Sequence, residues 1–165
     1  DGRAAALRAA GLAHYLACDP ERMTDEREAA ALHKVVRARL PRDWDELSWE
    51  AGERTAEYLL EHRIPMPAQW LLKRLPPAWS ARMRLRAISA HAWAFAGSGD
   101  FSERIERGAV VIEIARNPIA MPSCPWHRGV FARLFSELVS PRVLVLHERC
   151  CAQGERACIF RIGWN

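Results

Sequence analysis

The side chains with metal-binding chemistry crowd the C-terminal end of this 165-residue chain. His147, Cys150, Cys151 and Cys158 share one short stretch, and Cys124 lies upstream beside an expected helix start. Thiolate and imidazole are the donors a structural zinc takes, four of them at roughly 2.0–2.3 Å. The stretch Val143-Leu-Val-Leu-His147-Glu-Arg-Cys150-Cys151-Ala-Gln-Gly154-Glu-Arg-Ala-Cys158-Ile-Phe-Arg-Ile162 reads as strand, tight turn, strand. Its first arm is Val/Leu-rich, its loop holds Gly154, and its second arm puts Cys158, Phe160 and Ile162 on one face. A hairpin brings its arms together, so Cys124, His147, Cys150 and Cys158 are the expected ligand set. The competing reading is that buried cysteines simply fill core. In a regular strand Glu148 and Cys150 share a face and His147 points away. His147 therefore joins Cys150 only if the strand kinks or ends near Glu148. Glu148 is the alternative fourth ligand and Cys151 the alternative sulfur.

The elements that must position these groups follow from periodicity and punctuation. Residues 3–17 are Ala/Leu-rich and helical in propensity, until Asp19-Pro20 breaks them. Thr24 is the expected N-cap of a second helix with acidic residues in its first turn. Its stripe runs Ala29, Leu32, Val36, Leu40, and Pro41 ends it. A third helix is expected from about Leu47 to His62. Arg63-Ile-Pro65-Met-Pro67 reads as a rigid connector. A short helix over 68–75 closes at Pro76-Pro77. A longer helix over about 77–96 carries Arg82, Arg84 and Arg86, with Leu85, Ile88, Ala92 and Phe95 as its core stripe and His91 beside Trp93. Gly97 and Gly99 follow a helix, the wrong order for a phosphate-binding loop. Ala109–Ile114 is a strand, and a helix beginning at Ser123 or Cys124 runs through Trp126, Val130, Leu134 and Leu138 to Pro141. The order is helices, then strand, helix, strand, strand. That predicts an α+β fold: one domain over 1–165, a helical half to about residue 100, and a small antiparallel sheet after it, with the zinc stapling the last hairpin.

Composition excludes several classes. Half the residues are apolar and 27% charged, ordinary for a globular chain. No apolar run reaches the roughly 18 residues of a membrane span, and the opening segment lacks a signal-peptide plan. The chain does not begin with Met, so further residues are expected upstream. An odd number of cysteines, mostly clustered, fits a reduced cytoplasmic setting better than a disulfide framework, and no Cys150–Cys151 bridge is expected. The net charge of +4 is mostly Arg spread along helices, without a nucleic-acid-binding motif. The seven Trp are numerous enough to line a pocket for a flat aromatic ligand, or to be ordinary core.

Two motifs, Ser123-Cys124-Pro-Trp126-His127-Arg-Gly129 and Cys150 followed by Gly154 and Cys158, resemble the vinyl-4-reductase domain family, a small-ligand-binding α+β module. Arg63-Ile-Pro65, Leu71-Leu-Lys-Arg-Leu-Pro76 and His91-Ala-Trp93-Ala-Phe-Ala-Gly97-Ser-Gly99 resemble its bacteriochlorophyll-biosynthesis branch, so the likeness covers nearly the whole chain. Related aromatic-effector sensor modules hold zinc with three Cys and one Glu at a spacing similar to Cys124, His147, Cys150 and Cys158. His147 stands here where those modules carry Glu.

The resemblance implies a tetrapyrrole ligand, a porphyrin or a Mg-containing intermediate. The family's name implies vinyl reduction, which needs a hydride or electron source. The sequence carries no Rossmann or flavin motif, so the expected role is a carrier or accessory factor that works beside pathway enzymes. A vinyl reductase using an external reductant and a small-molecule sensor module are the alternatives. The expected ligand-binding residues are His91, Trp93, Phe95, Trp126 and His127, with Arg side chains meeting the propionates and His91 reaching a central Mg or a ring substituent. Family likeness also implies a homodimer.

Overall fold

The computed structural model describes residues 2–18, 24–64, 66–67, 70, 85–86, 89–106 and 108–164. Labels here cover the described elements only. The first helical segment is split: α1 spans Gly2–Ala9, and a 3-10 turn spans Ala13–Leu16. Between them Gly11 takes a φ of 76°, a conformation that costs glycine little and ends the helix. Helix α2 spans Glu26–Arg39, and its N-cap is Asp25 rather than the expected Thr24. The Asp25 carboxylate accepts the Arg27 N–H at 2.8 Å, satisfying one of the free donors at the helix start. Helix α3 runs Trp44–His62, one turn earlier than the apolar pattern announced. The expected helix over 68–75 and most of that over 77–96 lie outside the described residues. The described end of the latter is a single helical turn, α4, at Trp93–Ala96.

Four strands follow: β1 Asp100–Glu106, β2 Ala109–Ala115, β3 Val143–Arg149 and β4 Ala157–Trp164, with helix α5 at Pro125–Leu138 between β2 and β3. They form one antiparallel sheet in the order β1-β2-β4-β3. The α+β expectation holds, with one strand more than the sequence pattern announced. Strand β1, Asp100-Phe-Ser-Glu-Arg-Ile-Glu106, is an edge strand that is largely exposed. It carries charge in place of a clean apolar alternation, which is how edge strands resist unwanted pairing.

The core sits between the sheet and α5. Val110, Ile112 and Ile114 of β2 and Phe160 and Ile162 of β4 meet Val130, Phe131, Leu134, Phe135 and Leu138 of α5, all essentially excluded from solvent. Each such side chain stabilises the fold by about 1.5–3 kcal/mol. Helix α3 packs on the other side of α5 at very short range. A Cβ on Gly52 would collide with the Trp126 carbonyl and stand 2.9 Å from the Val130 nitrogen. A Cβ on Gly129 would collide with the Trp49 carbonyl and stand 3.2 Å from its Cα. The two glycines therefore let the helix backbones touch. This contact fixes α5, whose N-terminus carries Cys124.

Candidate metal centre and ligand groove

Cys124, His147, Cys150 and Cys158 each offer a ligand atom, and the four atoms lie within 4.8 Å of one another. Three separate elements deliver them. Cys124 is the N-cap residue of α5, in a left-handed conformation (φ 39°, ψ 52°), next to Ser123, also left-handed at φ 64°. Two consecutive non-glycine residues in that region store strain of order 1–3 kcal/mol each, and the bend turns the Cys124 sulfur into the interior. His147 comes from β3. The register slips between His147 and Arg149, opposite Phe160 and Ile159, so Glu148 is bulged out. That bulge is the kink that His147 requires in order to face inward while Cys150 also does. The His147 ring stacks on its cross-strand partner Phe160 at 4.7 Å, which fixes its plane. Cys150 ends β3, and the turn Cys151–Gln153 with Gly154 at φ 90° returns the chain to β4 and Cys158.

The spacing fits a metal. The Cys124 sulfur lies 3.7 Å from that of Cys150 and 3.8 Å from that of Cys158. Tetrahedral zinc with Zn–S near 2.3 Å demands sulfur–sulfur edges of about 3.8 Å. A disulfide needs about 2.05 Å, and all five cysteines are free thiols. His147 Nε2 is buried without a hydrogen-bond partner, an arrangement that leaves a ring nitrogen for a metal. The proton inventory points the same way. The Cys158 thiol is pushed down to about 3, first by the hydrogen bond from Cys124, with the His147 ring and the Cys151 N–H at 3.3 Å adding to it. Cys124 is correspondingly pushed up by that partnership and by burial. Cys158 is thus the first thiolate of the set, the form that binds metals. The donors, three sulfurs and one imidazole, close a tetrahedron and leave no open position for water.

The two alternative ligands stand elsewhere. Glu148 is exposed and accepts a hydrogen bond from Arg161 Nε at 2.6 Å. The Cys151 thiol is turned toward the Ile114 carbonyl at 3.9 Å; burial pushes its pKa up.

The residues expected to bind a ligand separate into two groups. Trp93 and Trp126 line a pocket of about 280 Å³ with His33, Ile119 and Gly97. Phe95 and His127 do not belong to it: both are buried in the core. His127 Nε2 sits 3.0 Å from the Phe95 carbonyl and 3.2 Å from Asn117 Nδ2, so it donates to the first or accepts from the second. Burial holds His127 neutral, pushed down to about 4. His91 is half-buried with Nδ1 lacking a partner, and it lines neither described groove pocket. Arg86 is exposed, and Arg82 and Arg84 lie outside the described residues. Sequence reasoning missed His33. Its signal was its position four residues after Ala29, on the edge of the α2 stripe. A larger cavity of about 460 Å³ lies on the other side of this histidine, between α1, the 3-10 turn and α2, lined by Leu7, Tyr15, Leu32 and Val36 among others. No described helix is long and apolar enough to cross a membrane.

Comparison with known proteins fits this architecture. The vinyl-4-reductase domain model matches residues 111–164, the part that holds β2, α5, the hairpin and all four clustered donors. The chain is 42% identical over 98% of its length to the bacteriochlorophyll synthase 23 kDa chain of Cereibacter sphaeroides, covering 81% of that protein. It is 36% identical over 84% of its length to the protein of the same name from Rhodobacter capsulatus, covering 67% of it. Among solved structures it is similar in fold to an H-NOX protein from S. oneidensis in the Fe(II)NO ligation state. That match has a TM-score of 0.58 at 11% identity and spans 96% of this chain and 90% of the other.

Proposed function

Because this chain belongs to the family of the bacteriochlorophyll synthase 23 kDa chains, and its C-terminal part matches the vinyl-4-reductase domain, we propose that it binds a tetrapyrrole intermediate of bacteriochlorophyll biosynthesis as a carrier or accessory factor. The observation that carries this reading is near-full-length identity to relatives named for that pathway. A groove bordered by Trp93 and Trp126 supports it, since planar macrocycles bury large apolar faces at roughly 25 cal/mol per Å². Part of that energy is lost to the entropy of association, so micromolar affinity or somewhat tighter is expected. A zinc ion held by Cys124, His147, Cys150 and Cys158 would be structural. It would pin the start of α5 to both arms of the last hairpin and so hold the wall that carries Trp126. The partners are the tetrapyrrole, enzymes of the pathway and a second copy of the chain, in a cytoplasmic setting.

The test is titration with protoporphyrin IX and its Mg complex, followed by Trp fluorescence quenching and the Soret band. Saturable quenching is expected. Absence of any binding would refute the reading. Sustained conversion of a vinyl to an ethyl group by the purified protein with NADPH would replace the carrier with a reductase.

A further inference from the structure

The cavity of about 460 Å³ and the pocket of about 280 Å³ adjoin along α2 and share Thr24, Ala29 and His33 in their walls. The larger is within the range of small-molecule sites, and the pair forms a groove between α2 and the rest of the molecule. A specific clamp helps hold α2 across this groove. The Glu26 carboxylate accepts the Ser98 N–H and the Ser98 hydroxyl, each at 2.6 Å. Gly97 lets it approach, because a Cβ there (φ 55°) would collide with the Glu26 carboxylate.

His33 is the polar feature at the centre of this groove. Its ring meets Trp44 edge-on at 5.5 Å and Trp126 at 5.9 Å. Its Nδ1 is buried without a partner, and so are Trp44 Nε1 and, one turn further along α3, Ser48 Oγ. Buried polar atoms are rarely left unsatisfied without a reason such as a missing ligand or water. The other described histidines have different surroundings. His127 has its own hydrogen-bonding contacts, His147 belongs to the cysteine cluster, and His14, His62 and His91 line neither cavity. Burial pushes the His33 pKa down to about 4, so at neutral pH it is an uncharged imidazole with a lone pair. A neutral nitrogen donor between apolar walls suits a metal centre better than a carboxylate, which would need a buried cation.

We infer that the groove under α2 is the tetrapyrrole site and that the His33 imidazole faces the central metal of a metal-chelated macrocycle, with Trp93 and Trp126 bordering the ring; this rests on the tetrapyrrole reading above. The assignment is read from a ratio. Wild-type protein and the His33→Phe and His91→Phe variants are titrated with Mg-protoporphyrin IX and with metal-free protoporphyrin IX. The wild type and His91→Phe are expected to prefer the Mg form, with a red-shifted Soret band. In His33→Phe the preference should fall at least tenfold and the shift should vanish. In His33→Gly, added imidazole should restore the shift of the protein-bound pigment, a rescue that a merely structural role would not give. An unchanged preference and Soret band in His33→Phe would overturn the assignment while leaving tetrapyrrole binding intact, as would loss of preference in His91→Phe alone. A wild type that binds neither pigment overturns both.

Discussion

Replacing Cys158 by Ser removes the sulfur that is already the most acidic of the cluster. Structural zinc sites built from four side chains bind with apparent free energies of about 10–16 kcal/mol at pH 7. Shared evenly, each donor carries about 2.5–4 kcal/mol, so losing one weakens zinc by roughly 10²–10³-fold at 1.4 kcal/mol per decade. Zinc binds the folded chain, so free zinc at about 1,000 times Kd contributes about 4 kcal/mol of stability, most of which such a loss removes. For a chain of this size each kcal/mol shifts Tm by about 2–4 °C, giving an expected drop of roughly 5–16 °C. The assay is metal analysis by mass spectrometry alongside thermal unfolding, with and without a chelator. About one zinc per chain is expected in the wild type and well under half in Cys158→Ser. Wild-type protein that purifies without metal and melts at the same temperature with added zinc or chelator would refute the reasoning. So would Cys158→Ser with undiminished zinc and Tm.

Cys151→Ser and Glu148→Gln should both keep the zinc, because neither side chain faces the cluster; metal analysis decides. Thiol counting after denaturation and metal removal should recover all five cysteines, and recovery of three would reveal a bridge that the sulfur spacing excludes. Gly52→Ala and Gly129→Ala should each destabilise by about 1–3 kcal/mol through overpacking at the α3–α5 contact. That exceeds the roughly 1 kcal/mol that alanine gains in helix propensity, and urea denaturation reads the difference. His127, with a pKa pushed down from 6.5 to about 4, stays neutral in the fold while the unfolded chain takes up a proton near 6.5. Its contribution is complete above about pH 6.5 and is lost as pH falls toward 4, a swing of about 3 kcal/mol at 1.4 kcal/mol per unit. His127→Gln should flatten that part of the stability–pH curve measured by urea denaturation.

The sequence by itself determined the hairpin that holds Cys158 and Gly154, the apolar strand Ala109–Ala115, the helix after Cys124 and the α+β class. In each, local pattern and tertiary burial agree: alternation of 2 on β4, a 3.6-residue stripe on α5, and a glycine where the turn needs positive φ. It also narrowed the metal donors to a few side chains, because few residue types can bind zinc. It did not choose between His147 and Glu148. That choice is made by a one-residue bulge, which reverses the side-chain alternation of a strand and depends on pairing with β4 across the sheet. Strand β1 escaped notice because its exposed edge leaves its charged residues in water, so no apolar alternation marks it. His127 read as a pocket or surface residue, because nothing in its neighbours along the chain reveals Asn117 and the Phe95 carbonyl waiting in the core. The groove beside His33 is the clearest case. Its walls come from α1, α2, α4 and α5, and a cavity is the space left between elements, which has no sequence of its own.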